Sequence, residues 1–243
     1  MNMKYLRLFN NYSEYEANKS NLEYPNVTII NKGDGINFDV ILRDEAPIEF
    51  VDLGLSVKWS PFNLGATSPE EFGLYYAWGE TDGYSEITTE KKFNWSDYKF
   101  SKETTGNTFK GVTKYNNDSA NGDVDNLNSL LPEDDAAYNF DNTWRLPTKE
   151  EAQELFDNTT SVWTTVNGVS GKLFTSKING NQIFFPSCGY LVNGNLSSVG
   201  TSSHYYTSDL SNTKSAYFMS ITNGSHNISN SFRCYGRNIR PVQ

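Results

Sequence analysis

An α+β fold of antiparallel strands with few, short helices is the class this sequence predicts. Two observations carry it. Asn-Gly pairs at 167–168 and 179–180 separate apolar-rich runs in the C-terminal half, and such pairs are the strongest short-range hairpin signal. The stretch Thr148-Lys149-Glu150-Glu151 has the form of a capping box opening a helix. A third feature adds detail: residues 81–140 are polar, rich in Gly, Asn, Asp and Thr, and sparsely apolar. Loops of that length in a compact domain are functional or are ordered by something.

Composition bounds the functional classes. The 243 residues suffice for one large domain, or one domain and a small appendage. Hydrophobic residues make up only 37%, but aromatics reach 14%. Each aromatic buries a large area, so a core can form within a loop-rich frame. The net charge of −9 argues against nucleic acid or an anionic membrane as the main partner, since both need basic surface. Residues 1–19 contain no continuous apolar run. No Sec or lipoprotein signal and no membrane span is therefore expected in the chain as it stands. Either release by another route or a removed leader fits that.

Residues 1–46 differ from the rest. Residues 4–9 alternate like a short strand. Residues 13–19 suit one helix, with Ser13 as N-cap and Glu16 as its capping-box partner. Residues 25–30, a turn at 31–35 and residues 36–40 read as a hairpin. This segment is too small for a robust core of its own. It reads either as an extension packed on the main domain or, more sharply, as an attachment or oligomerisation element. Residues 43–47 look like the linker, and the main domain is expected over 47–243.

Val51, Leu53, Leu55 and Val57 alternate and predict a strand with one buried face. Ser68, Pro69, Glu70 and Glu71 predict a short helix: a natural N-cap, proline at N1 and acids at the positive end. Tyr75-Tyr76-Ala77-Trp78 is an aromatic strand ending near Glu80. That carboxylate is read as a structural hydrogen-bonding group, since no partner acid or His is fixed nearby in sequence. In the polar stretch, Asp123, Asp125, Glu133 and Asp134 supply enough oxygens for a Ca²⁺ site, but not at EF-hand spacing. Turn capping and solvation are the simpler roles.

Residues 144–156 run from a strand end into a helix whose Ala152, Leu155 and Phe156 form an apolar face. Arg145 is expected to anchor a carboxylate or carbonyls beneath it. Strands follow at 161–166, 173–178 and 182–186, and the turn at 193–195 leads to the last stretch. From Gly200 onward the chain reads as aromatic strands with Asn/Ser-rich turns.

The combination VDLGLSVKW, GATSPEEFGLYYAWGE, DDAAYNFDNTWRLPTKEEAQEL, NGNQIFFPSCGY, HYYTSDL and FRCYGRNIRPV resembles a family of gut-bacterial and phage proteins with a C-type lectin-like fold. That family is akin to formylglycine-generating-enzyme domains and to the variable proteins of diversity-generating retroelements. The resemblance covers residues 50–243. The N-terminal pattern EYEA…YPNVTIINKGDGINF resembles leaders of phage structural proteins. The family implies a small twisted antiparallel sheet, two short helices at 68–72 and 149–156, long ordered loops, and a closing strand ending at Arg240-Pro241-Val242. It also implies that the C-terminal stretch is the exposed binding face.

That implication suits the residue types, because Tyr gives contact area at low entropic cost while Asn and Ser give adaptable hydrogen bonding. The expected ligand-contacting positions are Ser203, Tyr205, Ser208, Leu210, Tyr217, Met219, Ser225, His226, Asn227, Ser229, Asn230 and Phe232. Formylglycine-type oxidation would need a reactive cysteine pair near the C-terminus. Here Cys234 has no second cysteine a few residues before it, and Cys188 is distant. A Cys188–Cys234 disulfide or two buried thiols both remain open. His204 and His226 have no triad or metal spacing.

The expectation is therefore a non-enzymatic virion component, such as a phage head or tail fibre or decoration. It would face a bacterial surface glycan or protein, join other virion proteins through residues 1–46, and form a homo-oligomer, for example a trimer. No cofactor, nucleic acid or membrane insertion is expected. The alternatives are a bacterial cell-surface adhesin or glycan-binding protein of the same fold and, more remotely, the oxidase.

Overall fold

The computed structural model describes residues 27–31, 38–42, 48–85, 91–103 and 106–243, the first two segments as backbone only. The chain divides into two compact units, Met1–Ile48 and Glu49–Gln243. In the first, β1 (Val27–Asn31) and β2 (Phe38–Leu42) pair antiparallel, with Ile29 opposite Val40. This is the expected hairpin. The strand read at 4–9, the helix at 13–19 and the linker at 43–47 lie outside the described residues.

The second unit is mixed and mostly antiparallel. β3 (Thr159–Val166), β4 (Val169–Ser176) and β5 (Gln182–Pro186) form one sheet in sequence order. Asn167 (φ 47°) and Gly168 (φ 85°) make its first turn. Both central residues being left-handed is what a type I′ two-residue hairpin turn requires, and Asn-Gly meets that need at least strain. β6 (Tyr190–Val192) and β7 (Asn195–Ser197) repeat the device around Asn193-Gly194. β8 (Ser202–Asn212), β9 (Ser215–Thr222) and β10 (His226–Phe232) form the last sheet, with β9 central.

Helix α2 (Lys149–Asp157) follows the shorter α1 (Ala136–Phe140). Its capping box is complete: Thr148 Oγ1 accepts from Glu151 N, and the Glu151 carboxylate accepts from Thr148 N. Arg145 grips that same carboxylate through Nη1 at 2.7 Å and Nη2 at 2.6 Å. The buried face of α2 is Ala152, Leu155 and Phe156, as its spacing predicts.

Two expectations are corrected. Residues 68–72 make one turn, closed by Glu71 N to Ser68 O, and no helix. The chain must straighten there so that Leu74 N can reach Leu64 O and Tyr75 can bridge Tyr84. Residues 51–57 are not a continuous strand, because only Val51 pairs, with Trp59, and the chain between bends. Among the described residues the other α-helix is α1, capped by Asp135, whose carboxylate accepts from Ala137 N and Tyr138 N.

The C-terminal segment closes the unit through scattered bridges. Arg237 pairs with Tyr76, Asn238 with Tyr205, and Val242 with both Trp59 and Arg145. Around it lie the largest buried side chains, including Trp59, Trp78, Tyr205 and Tyr206, and three arginines, Arg233, Arg237 and Arg240. The polar stretch joins this core through Phe93, Tyr98, Val112 and Tyr115. Among the described residues, no helix is long and apolar enough to cross a membrane.

Candidate functional site

The β8–β9–β10 sheet has two unlike faces. In an antiparallel sheet, partnered residues share a face and neighbours alternate. One face carries Ser203 and Tyr205 on β8, Met219 and Ile221 on β9, and His226 and Ile228 on β10. It packs inward. The His226 ring lies 4.7 Å from Phe156 of α2 and 5.3 Å from Phe174 of β4, and Tyr205 lies 5.0 Å from Phe185 of β5.

The opposite face is the candidate site. The register aligns His204, Ser220 and Asn227 across the three strands, then Tyr206, Phe218 and Ser229, with Ala216 opposite Ser231. His204 is sandwiched, its ring 4.6 Å from Tyr190 and 4.9 Å from Phe218. Beneath this stack, the Arg237 guanidinium lies 4.1 Å from the Phe218 ring and 5.0 Å from Tyr206. Its Nη1 donates to the Tyr206 hydroxyl at 3.0 Å. Toward the edge strand the face becomes small and polar: Asn227 is exposed, while Ser220, Ser229 and Ser231 are half-buried.

Burial pushes the His204 imidazole down to about 3, with the Arg237 charge adding to the effect. His204 is therefore neutral across physiological pH, and its Nδ1 has no hydrogen-bond partner among the described residues. The face offers stacked rings, a neutral imidazole, hydroxyls and amides. That set suits hydrogen bonding to a polar ligand and holds no nucleophile–base pair.

The expected contact residues fall in three places. Ser203, Tyr205, Ser208, Leu210 and Met219 are buried, and this corrects their assignment to a ligand surface. Ser203, Tyr205 and Met219 point inward, and the bulge between Tyr206 and Leu210 draws the following residues into contact with residues 128–130 and Pro147. Tyr217, His226, Asn230 and Phe232 share the inward face by register, where His226 packs tilted against Phe156 and edge-on to Phe174, and Tyr217 lies under Lys149 at 4.9 Å. Asn230 and Phe232 are exposed at the free edge. Only Asn227 and Ser229 lie on the outer face, beside the exposed turn residue Ser225. His204, Ser220, Ser231 and Tyr190 were missed. Counting outward in twos from Thr222 and Ser225, which flank the Asn223-Gly224 turn, selects Ser220 and Asn227, but the bulge hides the parity of β8.

The remaining chemical candidates are dispersed. Asp134 accepts from Lys99, Lys114 and the Tyr115 hydroxyl, Asp125 caps Tyr115 N and Asn116 N, and Asp123 lies 3.7 Å from Lys102. Among the described residues, no group of three or more His, Cys, Asp or Glu side chains is arranged to hold a metal ion. Cys188 and Cys234 are both free and buried. Burial pushes the Cys188 thiol up to about 12 and the Cys234 thiol well up, so neither is a thiolate at neutral pH. Glu80 bonds Lys91 and accepts the Lys99 N–H, in keeping with the structural hydrogen-bonding role read from the sequence, and Lys91 Nζ lies 3.6 Å from Asp97 Oδ1.

No protein-family model, curated protein or solved structure matches this chain.

Proposed function

We propose that the protein is a non-enzymatic virion component, a phage head or tail fibre or decoration, that displays a C-type lectin-like domain toward a bacterial surface ligand. The ligand is a surface glycan or protein. Residues 1–46 attach the domain to other virion proteins, and the assembly is a homo-oligomer. The observation that carries the reading is the division of labour in the last sheet. Its inner face is locked by Tyr205, Met219 and Ile221, while Ser220, Asn227, Ser229 and Ser231 are small, uncharged and accessible on the other. Residues of this kind can change without disturbing a core, which is what a recognition surface needs. The half-buried Tyr190 adds an aromatic ring at this face, held in place by His204, which is stacked between Tyr190 and Phe218.

The test is a glycan-array and bacterial-cell binding screen of the intact assembly, followed by Ser220→Trp and Asn227→Arg. Binding should be lost in both variants with the melting temperature unchanged. A ligand that binds the variants as well as the parent would place recognition elsewhere.

A further inference from the structure

Glu80 and Lys91 are the strongest unexplained chemistry in the molecule. Both are buried, at 7% and 4% exposure, and their charged atoms meet: Lys91 Nζ lies 2.5 Å from Glu80 Oε2. Asp97 completes a triad, with Oδ1 at 3.6 Å from the same nitrogen and its backbone oxygen at 2.9 Å. The other Glu80 oxygen, Oε1, accepts the backbone N–H of Lys99 at 2.8 Å. The ammonium lies 5.2 Å from the Phe93 ring centroid. A cavity of about 260 Å³ adjoins the three side chains.

A buried ion pair carries a desolvation penalty that its mutual attraction does not reliably repay. Neutralising both partners removes that penalty. Proton transfer is one route to neutrality, and condensation is a permanent one. The positions here suit condensation. The nucleophilic nitrogen touches the oxygen that must leave. The oxygen that must carry transient negative charge already has a donor. A second carboxylate stands within reach of the nitrogen to take its proton.

We propose that Lys91 and Glu80 join through an intramolecular isopeptide bond, with Asp97 as the proton acceptor. Glu80 first takes a proton from solvent through the adjoining cavity, and Asp97 takes one proton from the Lys91 ammonium. The freed amine attacks Cδ of the protonated Glu80 carboxyl, and Oε1 holds the negative charge against the Lys99 N–H. The second nitrogen-bound proton passes to the Oε2 hydroxyl, which leaves as water into the cavity. Asp97 then releases its proton to solvent. A C–N bond forms and a C–O bond breaks, one water is lost, and nothing is oxidised or reduced. Burial raises the pKa of the Glu80 carboxyl above its ordinary value even against the Lys91 charge, and this favours the protonated form that the step consumes. The bond would tie the turn after Trp78 to the segment carrying Phe93, which suits a protein exposed outside a cell.

The test is intact-mass spectrometry of the full chain, purified and then denatured. The expected mass is one water below the sequence mass, and proteolysis should yield a branched peptide joining Glu80 to Lys91. Lys91→Arg keeps the ion pair and should show the full sequence mass. Asp97→Asn should leave most of the chain unlinked while circular dichroism matches the parent. A parent protein at the full sequence mass overturns the proposal. So does a water loss that fragmentation places at any other residue pair, and so does complete linkage in the Asp97→Asn variant.

Discussion

Arg237 lays its guanidinium 4.1 Å from the centroid of the Phe218 ring, directly beneath the candidate binding face. Among the described residues it forms no ion pair with a carboxylate, and neither do Arg233 and Arg240, although all three are buried. Carbonyls and rings do the work that acids would otherwise do. Arg240 donates to Asn63 Oδ1, Ser60 O and Phe184 O, and Arg233 donates to Tyr115 O and Lys114 O. The planar fork of arginine can span such acceptors, whereas a lysine ammonium cannot. The frame under the binding face is thus a set of cation–carbonyl and cation–ring contacts.

The Arg237–Phe218 contact should be measurable as a coupling. Arg237→Met is expected to destabilise the domain by about 2–4 kcal/mol, since it leaves buried acceptors unmatched. Phe218→Leu removes the ring and little else. A double-mutant cycle by urea denaturation should return an interaction energy of about 1–2 kcal/mol. Strict additivity of the two losses would reduce the contact to simple proximity.

His204 gives stability a pH dependence with a definite sign. Its folded pKa, about 3, lies below the ordinary 6.5. Between those values the unfolded chain binds a proton that the folded chain does not. Stability therefore falls as pH drops below about 6.5, by at most about 1.4 kcal/mol per pH unit from this group. His204→Phe keeps the stack and should flatten that part of the curve. Ligand binding at pH 5–8 should not follow a histidine titration, because His204 stays neutral there.

Glu151 acts in a lower window. Burial alone would raise its pKa, but the Arg145 bonds and the Thr148 N–H outweigh burial and leave it lowered from 4.5. Its contribution is complete above the unfolded value and is lost as pH falls through the folded one. Glu151→Gln should therefore lower stability at pH 7 and shrink the further loss seen below about pH 4. Thr148→Ala should cost about 1 kcal/mol at any pH, as the loss of an N-cap. Thermal melts from pH 3 to pH 7 would separate the two effects.

What the sequence disclosed and what it hid follow from the range of the interactions involved. The β3–β5 hairpins were legible because Asn167-Gly168 sets its own register locally. Helix α2 was legible because its cap, its acids and its apolar face lie within nine residues. The turn at 68–72 carries equally good local signals and is overridden by bonds from Leu74 and Tyr75 to other segments. The buried arginines were illegible because charge normally predicts exposure, and their acceptors lie up to 180 residues away. The binding-face residues were half legible. The Asn223-Gly224 turn fixes β9 against β10, but the irregularity after Tyr206 breaks the alternation on which a reading of β8 depends.

Glycine substitutions separate strain from crowding. Gly189 has φ +69°, and an added Cβ would stand 2.1 Å from the backbone oxygen of Ser197, which cannot yield without parting β6 from β7. Gly168 has φ +85°, but its Cβ would meet nothing within 4 Å. Gly168→Ala should cost about 1–2 kcal/mol, the ordinary left-handed penalty. Gly189→Ala should exceed it by about 2 kcal/mol or more, because overpacking adds to the same strain. Gly189 also pairs with Ser203, at the start of the strand that carries His204. The Gly189→Ala variant should therefore lose ligand binding along with stability, whereas Gly168→Ala should keep binding intact. Equal losses of stability in the two variants would show that β6 and β7 can separate freely, and would remove the support this pair is held to give the Tyr190 ring stacked on His204.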